Sequence, residues 1–429
     1  MFRIFILADD LSGAADCGVA CVSSGLKTVV ALDDDAADLD AEVLSLDADT
    51  RCIDANAAST KVRHLMRKYA ANQDLILFKK IDSTLRGNVA GELAAALEAL
   101  RGVHPGAVAV MAPAFPAIGR TTVGGTQMAY GSPLNELEIW RHQGIPGRAY
   151  IPEILKAADL KCPLLQLSAV RSGHSALSQQ LNSSAAKADV LVCDAETDAD
   201  LYEIAVASMH LQRKVLWVGS AGLAYQLPRA AGITSPTKVE TISLSPCARP
   251  LLFVIGSLSR KSIEQVCALT SSSQTLRIAV PPDVLLAGEE SAHWHDIARR
   301  LGSEIRMGRD VVLSPEPEPQ LDLAQRPLLA TALACMATSV NDEIGALIAS
   351  GGETARAVLQ SFGVTRLRLL GEIERGIPIS VTENWRRQLP VITKAGDFGG
   401  PDALLKCSQF LQSASTCQGT PDNTGKAIQ

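Results

Sequence analysis

The feature that most constrains this chain is a rhythm. Short apolar runs alternate with helical patterns through the first half: "RIFILA", "KTVVAL", "EVLSLDA", "LILFKKI", "GAVAVMAP", "DVLVCDA" and "KVLWVGS". Runs of this length read as buried strands. Between them lie helical stretches such as "AGELAAALEALRG", with Gly102 as its stop. Strands covered on both faces and joined by helices make parallel sheets, because a parallel connection has to cross over the sheet. The rhythm restarts at "PLLFVIGSLS" and runs on through "TLRIAV", "DVVLSPE" and a helical stretch over residues 328–349. We therefore expect an α/β protein of two domains, each with a mainly parallel sheet flanked by helices.

A chain of 429 residues exceeds one ordinary core. The stretch "PRAAGITSPTKVETISLSPCARP" has prolines and no periodicity, and sets the expected boundaries. These are a first domain over 1–228, a linker over 229–249, a second domain over 250–412 and a frayed polar tail over 413–429. Residues 114–151 break the rhythm with "PAFPAIGRTTVGGTQ" and "GSPLNELEIWRHQG", and read as long functional loops. The "EPEP" tract after Pro315 reads as a solvated turn.

Composition narrows the function. At 47% apolar and 20% charged the chain is globular, and a formal net charge of -6 leaves no global basic field for nucleic acid. No apolar run approaches the ~20 residues of a membrane helix. "MFRIFILADD" turns acidic too soon for a signal peptide. The expectation is a cytoplasmic protein with small-molecule partners, no nucleic acid and no membrane, with a homo-oligomer left open. Ten cysteines without a C-x-x-C pair read as reduced structural thiols, several of them buried in apolar patterns. Neither a Walker A motif nor G-x-G-x-x-G is present, which disfavours a P-loop enzyme and a dinucleotide dehydrogenase. His293 and His295 flank Trp294 as a strand-like or surface pair with no neighbouring acidic or Cys ligand, so no zinc site is expected. "VGSAGLA" lacks the G-x-S-x-G spacing and reads as a strand end packed closely on a helix.

In open parallel sheets ligands bind where strands end and helices begin. In the first half those ends carry Asp9 and Asp10, "DADTR" at 47–51 and "KKIDSTLR" at 79–86. Adjacent like charges are costly unless each is solvated or paired. Consecutive residues point to opposite faces of a strand, so one aspartate faces the cleft while the other can cap the next helix. Lys80, Arg86 and Arg51 can grip a carboxylate, and Asp82 and Ser83 can bind hydroxyls. The second half is different. "VIGSLS", "IASGGETA" and "ITKAGDFGGPDAL" are Gly/Ser turns that expose backbone N–H groups at helix starts. Together they suggest a phosphate-bearing ligand, most simply a nucleotide.

The stretches "ADDLSGAAD", "KKIDSTLRGN", "PAFPAIGRTTVGG", "IGSLS", "SGGETA", "GEIERGIPIS" and "TKAGDFGGPDAL", in that order from residue 8 to about 404, resemble the four-carbon acid sugar kinases. The resemblance implies an N-terminal domain that binds a four-carbon sugar acid and a C-terminal domain that binds ATP, with Mg²⁺ as the accompanying ion. It implies γ-phosphoryl transfer to the 4-hydroxyl of threonate, erythronate or a 3-oxo-tetronate. Carried over position by position, the substrate side is Asp9, Asp10, Ser12, Arg51, Lys80, Asp82, Ser83 and Arg86. The nucleotide side is Ser257, Gly351, Gly352, Glu353, Thr354 and Gly396, and no residue is assigned as a metal ligand. Ser12 stands where the family usually has Thr, Glu353 where Asp is common, and Asp397 where a third Gly is usual. The opening "ADDLSGAADCG" looks closer to threonate or erythronate kinases than to oxo-tetronate kinases.

Asp9, Asp10 and Asp82 are the catalytic candidates. One of Asp9 or Asp10, with Asp10 the weaker choice for the cleft, would hold the acceptor hydroxyl, and Asp82 competes as general base. Lys80, Arg51 and Arg86 would bind the acid's carboxylate. The expected activity is a D-threonate or D-erythronate 4-kinase of carbohydrate catabolism. The alternatives are a 3-oxo-tetronate 4-kinase, a non-catalytic sugar-acid or nucleotide-binding regulator, and an isomerase or aldolase of a phosphorylated acid.

Overall fold

The structure is a computed structural model that describes residues 2–34, 39–137, 140, 145, 147–233, 250–317 and 325–416. The chain divides into two compact units, Met1–Val239 with Arg366–Leu369, and Glu240–Thr365 with Leu370–Gln429. The expected linker beyond residue 233, the tail beyond 416 and the second half of the "EPEP" tract lie outside the described residues.

The first unit is built from β1 (Ile4–Ala8), β2 (Thr28–Ala31), β3 (Val43–Asp47), β4 (Ile76–Lys80), β5 (Val108–Ala112), β6 (Arg120–Val123), β7 (Thr126–Ala129), β8 (Ser132–Pro133), β9 (Leu164–Leu165), β10 (Val190–Cys193) and β11 (Val215–Gly219). Its main sheet runs β2-β3-β1-β4-β11-β5-β10-β9, parallel throughout, and Arg366 to Arg368 pair antiparallel with β2 at one edge. Helices α1 (Leu11–Val22), α2 (Ala55–Ala70) and α3 (Val89–Arg101) make the early crossovers. The continuous apolar runs are explained by cover on both faces. Ile4 and Ile6 of β1 pack into one cluster with Cys17 and Cys21 of α1, while Phe5 and Leu7 pack into another with Val62, Leu65 and Met66 of α2. Burial pushes the Cys21 thiol up to about 12, so it behaves as a small hydrophobe.

Residues 114–151 hold more order than the expected loops. β6, β7 and β8 form a small antiparallel sheet, with Gly124 and Gly125 as the two-residue turn between β6 and β7. Both glycines have positive φ, as such a hairpin requires. "VGSAGLA" does pack closely: a Cβ on Gly219 would lie 2.5 Å from the Ala112 carbonyl oxygen, and one on Gly222 2.3 Å from that of Ala114.

The second unit contains β12 (Leu251–Ile255), β13 (Leu276–Val280), β14 (Val311–Pro315), β15 (Ala346–Ser350), the end of β16 (Arg366–Glu372) from Leu370 on, β17 (Pro378–Glu383) and β18 (Pro390–Lys394). Its order is β13-β14-β12-β15-β18-β17, parallel except that β17 runs antiparallel to β18. The single helical stretch expected over 328–349 is a helix, Arg326–Thr338, followed by the fully buried strand β15. A short apolar run such as "ALIAS" carries no period that separates buried helix from buried strand. His293 and His295 are exposed on the helix Ala292–Arg306, a surface pair on a helix and not on a strand.

Candidate active site

In the first unit β1 lies between β3 and β4, and the register aligns Ala8 with both Asp47 and Lys80. The chain leaves β1 toward β2 on one side and leaves β3 toward β4 on the other. This is a topological switch point, where side chains beyond the strand ends face a common crevice. The three charged segments meet there. Thr50 and Arg51 donate their backbone N–H groups to the Asp9 carbonyl at 3.0 and 3.2 Å, fixing the loop against the end of β1.

The guanidinium of Arg51 answers the carboxylate pair. Its Nε and Nη2 donate to Asp9 Oδ2 and Oδ1 at 2.8 and 2.9 Å, and its Nη1 and Nη2 donate to Asp10 Oδ2 and Oδ1 at 2.6 and 2.7 Å. Asp10 also caps α1, accepting from the Gly13 N–H at 2.9 Å. Lys80 Nζ donates to Asp9 at 3.5 Å and lies 3.8 Å from Asp10 Oδ1. Gly13 is dictated by this crowding, since a Cβ there would lie 2.2 Å from Lys80 Nζ. Burial would raise the Asp9 carboxyl, but Arg51 and Lys80 overcome it and hold Asp9 well below the usual carboxylate range.

Asp82 forms a second cluster. It accepts from Thr84 Oγ1, from the Arg86 N–H at 3.3 Å, and from Arg86 Nε and Nη2 at 2.5 and 3.0 Å. Burial again opposes ionisation, and Arg86 with Arg51 holds the carboxyl well below its ordinary value. The turns are tight: Asp49 and Leu85 both sit in the left-handed region, at φ 49° and 57°. Ser12 is buried on the first turn of α1 with no hydrogen-bond partner for its Oγ among the described residues, and Ser83 is buried with its carbonyl accepting from Gln127 Nε2 at 2.9 Å.

Two partnerships here escaped the sequence reading, those of Lys79 and of Asn88. Lys79 is fully buried and pairs with Glu92 of α3 at 2.8 Å, while its Nζ donates to the Lys80 carbonyl at 3.0 Å. Two adjacent lysines at the end of a buried strand have to place one ammonium on each side of the sheet, and Glu92 in the first turn of α3 was the available partner. Asn88 ties the start of α3 to the neighbouring loop, its Nδ2 donating to the Thr50 and Ile53 carbonyls at 3.3 and 2.9 Å.

The second unit repeats the switch-point logic with different chemistry. β12, β15 and β18 are neighbours, with Ile255 aligned to Ser350 and Ser350 to Lys394. Gly256 N–H donates to the Ser350 carbonyl at 3.2 Å and Gly351 N–H to the Lys394 carbonyl at 2.9 Å. Past these points come two helix starts. Ser259 caps Arg260–Ser272, accepting from the Ser262 N–H at 3.2 Å, and Gly351, at φ 103°, opens Gly352–Ser361. A Cβ on Gly256 would lie 2.0 Å from Thr354 Oγ1, and one on Gly396 2.3 Å from Ser257 Oγ. Ser257, Gly351, Gly352, Thr354 and Gly396 are thus brought together, and Glu353 is exposed on the first turn of its helix. Lys394 is buried beneath them, donating to Ser350 Oγ at 3.1 Å and to the Gly396 carbonyl at 3.0 Å. Burial lowers its ammonium to about 8. Backbone N–H groups, hydroxyls and one cation are what a polyphosphate needs.

No helix of the described residues is long and apolar enough to cross a membrane. A family model described as a sugar-binding N-terminal domain matches residues 4–227, and one described as a nucleotide-binding C-terminal domain matches 252–404. A D-threonate kinase of Cupriavidus necator is 38% identical over 95% of this chain and 97% of its own. A D-erythronate kinase of Heliobacterium modesticaldum is 28% identical over 96% and 97%, and a 3-oxo-tetronate kinase of Cupriavidus necator 29% identical over 92% and 94%. Among solved structures, a Salmonella typhimurium protein 21% identical covers 96% of this chain and all of its own at a TM-score of 0.80, a likeness of fold. With both domain models matched and nearly the full length covered, this chain belongs to the four-carbon acid sugar kinase family of ATP-dependent enzymes.

Proposed function

We propose that this protein transfers the γ-phosphoryl group of ATP to the 4-hydroxyl of a four-carbon sugar acid, D-threonate before D-erythronate. The observation that carries the reading is the Arg51-bridged pair of Asp9 and Asp10 at a sheet switch point, in a chain whose other unit carries three Gly/Ser turns at a second one. The relative at 38% identity supports D-threonate as the acid.

Hydrogen-bond capacity separates the three carboxylates. A carboxylate offers about four lone-pair sites. Asp82 already accepts four donors and is held as a clamp on its own turn. Asp9 and Asp10 each accept three, and the Asp10 side chain, 16% exposed against 5% for Asp9, is the more open. Asp10 therefore accepts the proton of the 4-hydroxyl. The freed oxygen bonds to the γ-phosphorus as the bond to the β–γ bridging oxygen breaks, and ADP leaves. In the loose transition state of phosphoryl transfer proton removal comes late, so a carboxylate held in place to orient the hydroxyl serves well. Arg51 keeps Asp9 ionised and aims both aspartates, and Lys80 offsets their charge.

Residues 257–259, 351–354 and 394–396 bind the nucleotide phosphates through backbone N–H groups and hydroxyls. Among the described residues no group of three or more His, Cys, Asp or Glu is placed to hold a metal ion. Mg²⁺ bound with the triphosphate would supply charge neutralisation for the transferring phosphoryl group. The test is ADP release with Mg-ATP against D-threonate, D-erythronate, L-threonate and 3-oxo-tetronate, with the product located by NMR. Phosphate on C4 of D-threonate is expected; ATP binding without turnover of any of the four acids would contradict the reading.

A further inference from the structure

The guanidinium of Arg120 in the first unit is buried with no carboxylate paired to it among the described residues. Arg120, at the start of β6, is only 8% exposed, and its Nε and Nη1 meet no acceptor among the described residues. Its guanidinium carbon lies 4.6 Å from the ring centroid of Tyr130, a contact with the ring face that leaves those N–H groups unmatched. A desolvated cation with free donors is costly to keep in an interior.

Its position says what the missing partner is. Across the hairpin Arg120 pairs with Ala129 and Thr122 with Gln127, so these four residues share one face. From that face Gln127 Nε2 donates to the Ser83 and Pro113 carbonyls at 2.9 and 3.3 Å. Ser83 belongs to the Asp82–Arg86 turn, so Arg120 lies on the side of the hairpin that covers the switch point. There the other cations are committed: Arg51 to Asp9 and Asp10, Lys80 to Asp9, Arg86 to Asp82. Over Arg120 stands Tyr130, 70% exposed and held at φ 53° by its N–H bond to the Gly119 carbonyl at 2.8 Å. A bulky side chain in the left-handed region is strained, and such strain collects at ligand clamps.

We propose that Arg120 receives the carboxylate of the sugar acid, with the exposed ring of Tyr130 covering the guanidinium. This rests on the sugar-acid kinase reading and replaces Lys80, Arg51 and Arg86 as the carboxylate grip. It gives the enzyme its choice of acid over polyol. A ligand with CH₂OH in place of the carboxylate leaves Arg120 buried and unmatched, and a site built this way discriminates strongly.

The test compares the full chain with Arg120→Gln on D-threonate and on D-threitol, which lacks the carboxylate, with Tyr130→Ala as a second variant at an exposed position. Because Arg120 has no carboxylate partner among the described residues, Arg120→Gln is expected to melt no lower than wild type. Its kcat/KM for D-threonate is expected to fall roughly 50-fold or more, mainly through KM, as loss of a charge-assisted contact implies. Activity on threitol and KM for ATP stay within about threefold, so the preference for acid collapses. Tyr130→Ala moves the same preference several-fold in the same direction. An unchanged KM for D-threonate, or an equal loss on acid and polyol, would overturn the assignment. If the wild type turned over neither compound, the kinase reading would fail, and calorimetric titration of D-threonate would decide this inference separately. Binding weakened by Arg120→Gln upholds it; binding unchanged, or absent from the wild type, overturns it.

Discussion

The two switch points solve the same problem with opposite materials. In the first unit the strand ends carry three carboxylates and three cations, each already matched to another inside the protein. In the second the strand ends carry glycines, serines and a threonine, with Lys394 buried beneath them. A small hydroxy acid has few atoms and must be oriented at every one, which rewards a rigid charged network held in register before it arrives. A triphosphate brings its own charge, so backbone dipoles and room for close approach suffice, and any Cβ at Gly256 or Gly396 would take that room away. The comparison teaches that the first site is defined by its side chains and the second by their absence.

Breaking the charged network should have the largest effect. Arg51→Met leaves Asp9 and Asp10 buried side by side with only Lys80, and removal of one partner from such a cluster costs about 3–5 kcal/mol. Urea unfolding should show that loss together with loss of turnover, whereas Ser257→Ala should stay within about 1 kcal/mol of wild type. Equal losses for the two variants would erase the contrast. Next comes the division of labour among the carboxylates. Asp10→Asn is expected to lower kcat by roughly 10²–10⁴-fold with a small change in KM. Asp82→Asn should lower kcat less than about tenfold while raising KM for the acid, because it releases Arg86 and Thr84. Steady-state kinetics that reverse this order would return the role of base to Asp82.

The pH dependence separates the units with a smaller effect. Asp9 is held well below its unfolded value, so its contribution to stability is fully present above about pH 4 and is lost as the pH falls through the lowered value. Lys394 is lowered to about 8, so between about 8 and 10.5 the unfolded chain binds more protons and stability rises with pH, by about 1–3 kcal/mol. Thermal melts across the range should show an acid loss removed by Asp9→Asn and an alkaline gain removed by Lys394→Met. A Lys394→Met profile identical to wild type above pH 8 would remove the buried ammonium from the account.

Much of this was legible because strand-end residues are adjacent to apolar runs that sequence reveals. The segments at Asp9, Arg51 and Lys80 could be put at one sheet edge without coordinates, since parallel order alone brings those ends together. What could not be read was the pairing. Arg51 and Arg86 looked like free grips for a ligand, and the fold spends them on Asp9, Asp10 and Asp82. Lys79 and Glu92 are far apart in sequence and signal nothing separately. Arg120 lay in a Gly/Thr-rich stretch read as loop, because a four-residue hairpin strand is too short for its alternation to stand out. Its burial, and hence its unmatched charge, appears only once β6 is folded onto the turn at Ser83.

The central claim, that the two ligands are held by independent chemistry in the two units, is tested most directly by Gly256→Ala. Titration calorimetry would follow D-threonate and Mg-ATP separately into wild type and variant. The added Cβ collides with Thr354 Oγ1, so ATP affinity is expected to fall at least tenfold while D-threonate binds as before. D-threonate binding lost in parallel, or ATP binding left intact, would contradict it.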